Sequence, residues 1–410
     1  MPQIIPDGPS PNDSIFLGFG AWSGVAANHL DGNDTLVASA DRFTVDAGAG
    51  NDSISAFDAH AKIFLGTGID TVRFSDGDMT LSGGANDHIE LHRGGFLLHA
   101  VGGNDTVRVV DAHATVDIGH GHDSIAASNG QYSIRAGGGH DTTFVQQGEA
   151  VLRLGGSHDR IELSSGAYTV LTGAGYDSIT GGVGSWLVRG HGHDLADNFR
   201  GDGNLAFDHG HDTISAHLFN GTVTGKGGDD LIEVINSTAI VNGNDGHDTI
   251  TVGGAITLSA GHNDLIRFED EQGNFNGAHA LKMVVANTSG GHDTFEYQYS
   301  DGAGTPDLLH GGIAGGTGIG TVIIDNFIKK TEVLLFHDDS GYDKFSAADL
   351  ENPKAVTVVD HGKHHDIDIT IHTTGGATAG TIVLKGVGTQ GHHLHSIAAL
   401  IVAGYHLAFS

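Results

Sequence analysis

One aspartate recurs along this chain at nearly fixed intervals, and carboxylates in such an array must either hold cations or repel one another. Its members are Asp34, Asp52, Asp70, Asp87, Asp105, Asp123, Asp141, Asp159, Asp177, Asp194, Asp212, Asp230, Asp248 and Asp264, with Asp293 after a longer step. Successive members lie 18 residues apart, apart from two steps of 17, one of 16 and a last one of 29. Most sit in a Gly-x-Asp-[Ser/Thr/Leu]-[Ile/Val/Leu] string. Chance does not hold such a register over about 230 residues, so the chain is read as a repeat structure.

Two aliphatic series keep step with the aspartates. One lies two residues later: Leu36, Ile54, Val72, Ile89, Val107, Ile125, Ile161, Ile179, Ile214, Ile232, Ile250 and Ile266, with Thr143 and Ala196 as exceptions. The other lies seven residues earlier and includes Val45, Ile63, Leu98, Val116, Ile134, Leu152, Val170 and Leu187. The period predicts a coil of strand, turn, strand, turn, with inward aliphatics stacking on those of the next coil. The Gly-x-Gly-x-Asp segment is one turn, where glycine supplies positive φ without steric cost. The second turn is less regular (Asp58-Ala59-His60, Ser128-Asn129-Gly130). One coil cannot bury its own face, so stability comes from its neighbours. The fold class expected is all-β: a parallel β-roll or β-solenoid of 18-residue coils.

Stacked coils place the aspartates in a file about 4.8 Å apart. In water such neighbours repel by roughly 1 kcal/mol per pair, and by more in a partly dry turn. Protons or metal ions must offset this. Carboxylates together with turn carbonyls bared by glycine suit Ca²⁺. The plainer alternative is that each Asp caps its own turn through backbone N–H groups. Against it, no position in the file holds Asn or Ser.

The strings Gly48-Ala49-Gly50-Asn51-Asp52-Ser53-Ile54, Gly102-Gly103-Asn104-Asp105-Thr106-Val107 and Gly173-Ala174-Gly175-Tyr176-Asp177-Ser178-Ile179 resemble the RTX (repeats-in-toxin, hemolysin-type) nonapeptide, Gly-Gly-x-Gly-x-Asp-x-aliphatic-x. The resemblance implies that the fifteen aspartates are calcium ligands shared between adjacent coils. It also implies export by a type I secretion system, with folding once calcium is met outside the cell. The family's tandem nonapeptides carry a calcium turn on both edges. Here the copies come every 18 residues, so one calcium file is expected, and some sites lack the first Gly.

The slot before each Asp holds Asn in early coils (Asn33, Asn51, Asn86, Asn104) and His in many later ones (His122, His140, His158, His193, His211, His247, His292). Both residues tolerate left-handed backbone, so a solvent-facing turn residue is one reading. Another is a Zn²⁺, Cu²⁺ or Ni²⁺ site formed by His191, His193, His209 and His211.

The chain divides into a first segment at 1–30, a solenoid at 31–300 with an insertion at about 265–290, and a C-terminal region at 301–410. In the last the 18-residue register stops and the alternation of Thr321–Phe336, Val356–Asp360, Asp366–His372 and Thr381–Gly388 predicts antiparallel strands. Ile324-Asp325-Asn326-Phe327 and the strand from Thr381 are similar to the C-terminal signal region of type I secreted RTX proteins.

Composition narrows the function classes. The chain has no Cys, 66 Gly but only 6 Pro, and 50 Asp and Glu against 19 Lys and Arg, a net charge of −31. Collagen and disulfide frameworks are excluded. Nucleic acid and anionic membrane are disfavoured as partners, no apolar run is long enough to span a bilayer, and no basic-then-apolar Sec-type leader opens the sequence. There is no His-Glu-x-x-His and no Gly-x-Ser-x-Gly. The expectation is therefore not an enzyme but a secreted structural protein of an extracellular matrix, surface layer or filament, with itself and extracellular polysaccharide as partners. The alternative is a calcium-dependent carbohydrate-active enzyme or carbohydrate-binding module.

Protonating all 29 His would bring the formal charge from −31 to −2, removing most of the repulsion between copies. Turbidity and sedimentation at fixed calcium are expected to rise as pH falls from 7.5 to 5. Flat traces across that range would refute this role for the imidazoles.

Overall fold

The computed structural model describes residues 31–268 except 40, 41, 101 and 262. Outside that span it describes 4–5, 12, 14–17, 23–27, 282–287, 293–299, 320–325, 333–338, 356–363, 365–372, 378–388 and 394–409. The chain forms two compact units, Met1–Ala196 and Asp197–Ser410.

Among the described residues of the first unit the strand pairings are parallel, linking one coil to the next. Ile54, Val72, Ile89, Val107 and Ile125 stand in register on successive coils. Val45, Ile63, Leu81, Leu98, Val116 and Ile134 do so on the opposite sheet. Both columns are at most 2% exposed and meet in the core. Thr143 takes a slot of the first column at 1% exposure, with its Oγ1 buried and without a hydrogen bond.

Two sequence expectations need correction here. Leu187 is 36% exposed, and Val188 fills the core at 0%. Val188, not Leu187, pairs with Val170. The cause is the 17-residue step to Asp194: the missing residue comes from the glycine turn, so counting back from the Asp overshoots by one. Leu81 takes the equivalent core place before Asp87 for the same reason. The two strands of a coil are also often fused into one long segment, such as Thr71–Gly83, His88–Ala100 and Thr142–Gly156.

The second turn is a kink within these segments rather than a break. One residue there adopts left-handed backbone: Asp58 (φ 52°), Asp76 (59°), Arg93 (50°), Asp111 (55°) and Asn129 (55°). In four coils this corner holds a glycine with an aromatic residue two places on, Gly94/Phe96, Gly130/Tyr132, Gly166/Tyr168 and Gly184/Trp186; in the first two the glycine follows the left-handed residue, Arg93 or Asn129. The ring folds back beneath the glycine. A Cβ on Gly166 would lie 2.6 Å from the Tyr168 hydroxyl and 2.1 Å from the Gly148 carbonyl oxygen. The Tyr168 hydroxyl donates to the Ser165 carbonyl (3.2 Å), so the buried ring keeps a partner for its polar tip.

In the second unit, Ile214, Ile232, Ile250, Ile266 and Phe295 form one parallel column. Val223, Val241 and Leu258 begin the other, which runs on through Val285. The parallel register does not end near residue 300. Leu334 and then Leu407 continue the first column, and Ile324 and Leu384 continue the second. The expected antiparallel pairing is confined to Val356–Asp360 with Ile367–His372, and Ile367–His372 with Thr378–Leu384. Ile397–Val402 is a short helix capped by the Ser396 side chain, and His406–Phe409 is a strand. Of the insertion, Leu265–Phe268 and Lys282–Asn287 are strands; residues 269–281 lie outside the described residues.

Gly166→Ala is expected to lower stability by about 1–3 kcal/mol, the usual cost of overpacking. Gly156→Ala is expected to be near neutral, because its Cβ would meet no atom closer than 3.8 Å. Urea unfolding of both variants in the same buffer decides it; equal midpoints would mean that the ring is not locked under Gly166.

Candidate metal centre: a file of buried carboxylates

The file of aspartates faces the interior. Asp34, Asp52, Asp70, Asp87, Asp105, Asp123, Asp141, Asp159, Asp177 and Asp194 in the first unit, and Asp212, Asp230, Asp248, Asp264 and Asp293 in the second, are all at most 4% exposed. Each carboxylate after the first in its unit joins a ladder between coils. The Asp52 N–H donates to Asp70 Oδ1 (2.8 Å), Asp123 to Asp141 (2.9 Å) and Asp159 to Asp177 (2.8 Å). In the second unit Asp230 donates to Asp248 (2.9 Å) and Asp264 to Asp293 (2.9 Å). The Asp carbonyl accepts in turn from the residue after the next Asp, as from Thr71 to Asp52 (2.8 Å). The Asp therefore does cap backbone N–H groups, chiefly those of the preceding coil; Asp264 also caps its own turn, its Oδ2 accepting from the Gly261 N–H (2.6 Å).

The second carboxylate oxygen is the unusual atom. Oδ2 of Asp52, Asp70, Asp87, Asp105, Asp123, Asp141, Asp159, Asp230 and Asp248 is buried with no hydrogen bond. An Asn in the same pose would complete the ladder equally well, so the ladder does not explain the choice of a carboxylate. Five residues before the Asp stand buried side chains in several coils: Ala47, Leu65, Ala100, Ile118, Ala136 and Leu154. Desolvation is accordingly the largest influence on these groups. It pushes Asp52, Asp87, Asp159 and Asp248 up from 3.8 to about 7, and Asp105, Asp123 and Asp264 to about 6. Asp70, Asp141, Asp177 and Asp230 are raised for the same reason. A rise from 3.8 to about 7 means roughly 4 kcal/mol against folding per ionised group at neutral pH. Only a proton or a cation at Oδ2 relieves that.

The donor chemistry fits a hard cation. In three coils glycine leaves open the space beside Oδ2: a Cβ on Gly83, Gly225 or Gly243 would lie 2.7, 2.1 or 2.3 Å from Oδ2 of Asp87, Asp230 or Asp248. Among the described residues no three His, Asp or Glu side chains gather as metal ligands. Ca²⁺, which takes six to eight oxygens, would draw its remaining ligands from turn carbonyls and water. The four His of the softer-metal expectation divide between the two units. His191 and His193 belong to the first unit, and His209 and His211 to the second.

The slot before the Asp builds a second ladder that runs the other way. Asn33 Oδ1 accepts the Asn51 N–H (2.7 Å), Asn51 accepts from Ile69 (2.7 Å), and Asn104 accepts from His122 (2.7 Å). His122 Nδ1 then accepts from His140 (3.2 Å), His140 from His158 (3.3 Å), and His158 from Tyr176 (2.9 Å). His Nδ1 and Asn Oδ1 are both bonded to Cγ, so either residue serves. This, and not left-handed backbone, explains the Asn and His preference, because among the described members of the slot only Asn263 has positive φ. The interchange was visible in the sequence, but its hydrogen-bonding cause was not. His292 lies outside the described residues. The rings of His122, His140, His158, Tyr176 and His193 stack at centroid separations of 5.2, 5.1, 5.0 and 4.9 Å. The place of Tyr176 in this stack went unread in the sequence.

No protein-family model, no curated protein and no solved structure matches the chain.

Folded-state values above the unfolded one mean that the metal-free fold is most stable below about pH 4 and loses stability as pH rises through 6 to 7. EDTA-treated protein is expected to gain β signal in circular dichroism between pH 7.5 and 5. Asp159→Asn, which keeps the Oδ1 acceptor without the charge, is expected to raise the metal-free urea midpoint at pH 5, where the metal-free chain is expected to fold. A β signal that falls on acidification would contradict the assignment of buried, uncompensated carboxylates.

Proposed function

We propose that this chain is a secreted calcium-binding structural protein of RTX type, which folds on meeting calcium and assembles into extracellular matrix, surface layer or filament. The observation that carries this reading is the row of buried Oδ2 atoms without hydrogen bonds, each at a position where every coil has chosen a carboxylate. A proton satisfies such an atom fully only in acid, and the groups pushed up to about 7 are partly ionised at neutral pH. At neutral pH a divalent cation serves, and carboxylate with main-chain carbonyls is the donor set of Ca²⁺. Binding that requires the folded site adds its free energy to folding.

In this reading the fifteen aspartates keep the chain open in low-calcium cytosol, the state suited to type I export, with the signal carried by the C-terminal strands. Outside the cell millimolar calcium closes the coils. The parallel solenoid supports the reading at the level of architecture, and the acidic balance of −31 keeps the unliganded chain extended and soluble.

Calcium titration of EDTA-treated protein at pH 7.5 tests it, with circular dichroism and electron microscopy on the same samples. Cooperative gain of β signal near millimolar Ca²⁺, with fibres or sheets, is the expected result. Calcium-dependent folding to a monomer would keep the ion and remove the assembly. A chain already folded in EDTA at neutral pH would refute the calcium role.

A further inference from the structure

In a chain of 50 acidic and 19 basic residues, an arginine without a carboxylate beside it is conspicuous. Most outward arginines of the first unit with a recorded partner pair simply: Arg73 with Glu90 (3.0 Å), Arg93 with Asp76 (2.8 Å), and Arg160 with Glu162. Arg42, Arg108, Arg135, Arg153 and Arg189, all exposed, have no such partner among the described residues, and the last three share one register position. Arg135 stands in register with Arg153, Arg153 with Leu171, and Leu171 with Arg189, on four successive coils. All three arginines are exposed, and among the described residues none of their guanidinium groups has a recorded hydrogen bond or ion pair. Glu149, on the same strand face as Arg153, accepts from the Gln131 side chain instead (3.3 Å). The same register position holds Asp46, Phe64, Ser82, His99 and Asp117 in the preceding coils, so the basic file is local; Asp117, in register with Arg135, lies by His99 (3.5 Å).

Like charges directly opposite on neighbouring strands destabilise a sheet. Arg135 and Arg153 are such a pair, with Leu171 separating Arg153 from Arg189, and an anionic partner with repeating charges would relieve it. Coil spacing sets the guanidinium groups at intervals of about 5 and 10 Å, which is the order of carboxylate spacing along an extended chain of uronic acid sugars. Four or five residues beyond each arginine lies the ring stack, His140, His158 and His193. Between arginine and ring the turn is almost bare backbone: Gly137, Gly138 and Gly139 in one coil, Gly155 and Gly156 in the next, Gly190 and Gly192 in the last. Each of these coils thus carries a guanidinium group on one side of a glycine-rich turn, with Ser157 and His191 exposed in two of them, and an aromatic edge on the other.

We infer that the coils bearing Arg135, Arg153 and Arg189 bind a linear acidic polysaccharide, its carboxylates on the arginines and its sugar rings along the glycine strip. Bidentate pairing of a guanidinium with a carboxylate is among the stronger charge-assisted contacts. The inference extends the proposed extracellular role by naming a partner, and it does not depend on calcium in the buried file.

The test is calorimetry of the folded full chain with oligogalacturonate and with a neutral oligoglucan of the same length. The uronate is expected to bind and the glucan not. Replacing all three arginines (R135Q, R153Q, R189Q) is expected to weaken binding by roughly tenfold or more and to flatten its dependence on NaCl. Arg153→Lys, which keeps the charge without the fork, should fall between. Folded wild-type protein that ignores the uronate overturns the inference, as does a triple variant that binds it unchanged. Loss of self-association in the triple variant, with no effect of uronate on the wild type, would overturn it in favour of a second copy of this chain. Circular dichroism of the same samples separates the two readings: a chain folded in EDTA refutes calcium-driven folding and leaves the glycan comparison intact.

Discussion

The structure depends on burying a carboxylate once per coil. The Asp side chain reaches back to the preceding coil and holds its backbone N–H, so a group that water would normally solvate becomes the clasp between neighbours. That clasp fixes where the glycine turn ends and where the next strand begins. It also leaves one oxygen facing apolar side chains, and the electrostatics of the chain follow from that oxygen. A fold built on at least nine such atoms cannot be indifferent to the ionic conditions around it, because each of them opposes folding until a positive charge reaches it.

The backbone directions chosen at the two turns serve this clasp. At the glycine turn, coils approach so closely that a Cβ on Gly173 would lie 1.4 Å from the Gly155 carbonyl oxygen. Hence glycine there is a matter of room as much as of φ. At the other turn, a single left-handed residue lets one strand run through the corner, and an aromatic ring fills the hollow under the next glycine. The side chains before the Asp run a hydrogen-bond ladder opposite in sense to that of the carboxylates. Each glycine turn is therefore tied to the coil on either side by different atoms.

Much of this was legible because the repeat is strict where side chains meet. The aspartates and the aliphatics two residues after them face the same neighbours in every coil, so their spacing shows without an alignment. Val188 was misassigned because a one-residue deletion inside a turn shifts the count without shifting the core. The parallel pairing of Leu334 and Leu407 was missed because the excursions between them, an antiparallel hairpin among them, hide a register that hydrogen bonds still keep. The equivalence of Asn104 and His122 is a fact about where an acceptor atom sits relative to Cγ, which neither hydropathy nor charge reveals.

The two opposed ladders have a consequence for how such a chain changes over time. Within a unit, each full-length coil offers its neighbour on one side the same N–H groups and acceptors that it receives from its neighbour on the other. A coil removed whole, or copied whole, leaves every clasp with a partner. Coil number is then a quantity that recombination can alter without redesign, and the shape of any one coil carries no record of how many others there are.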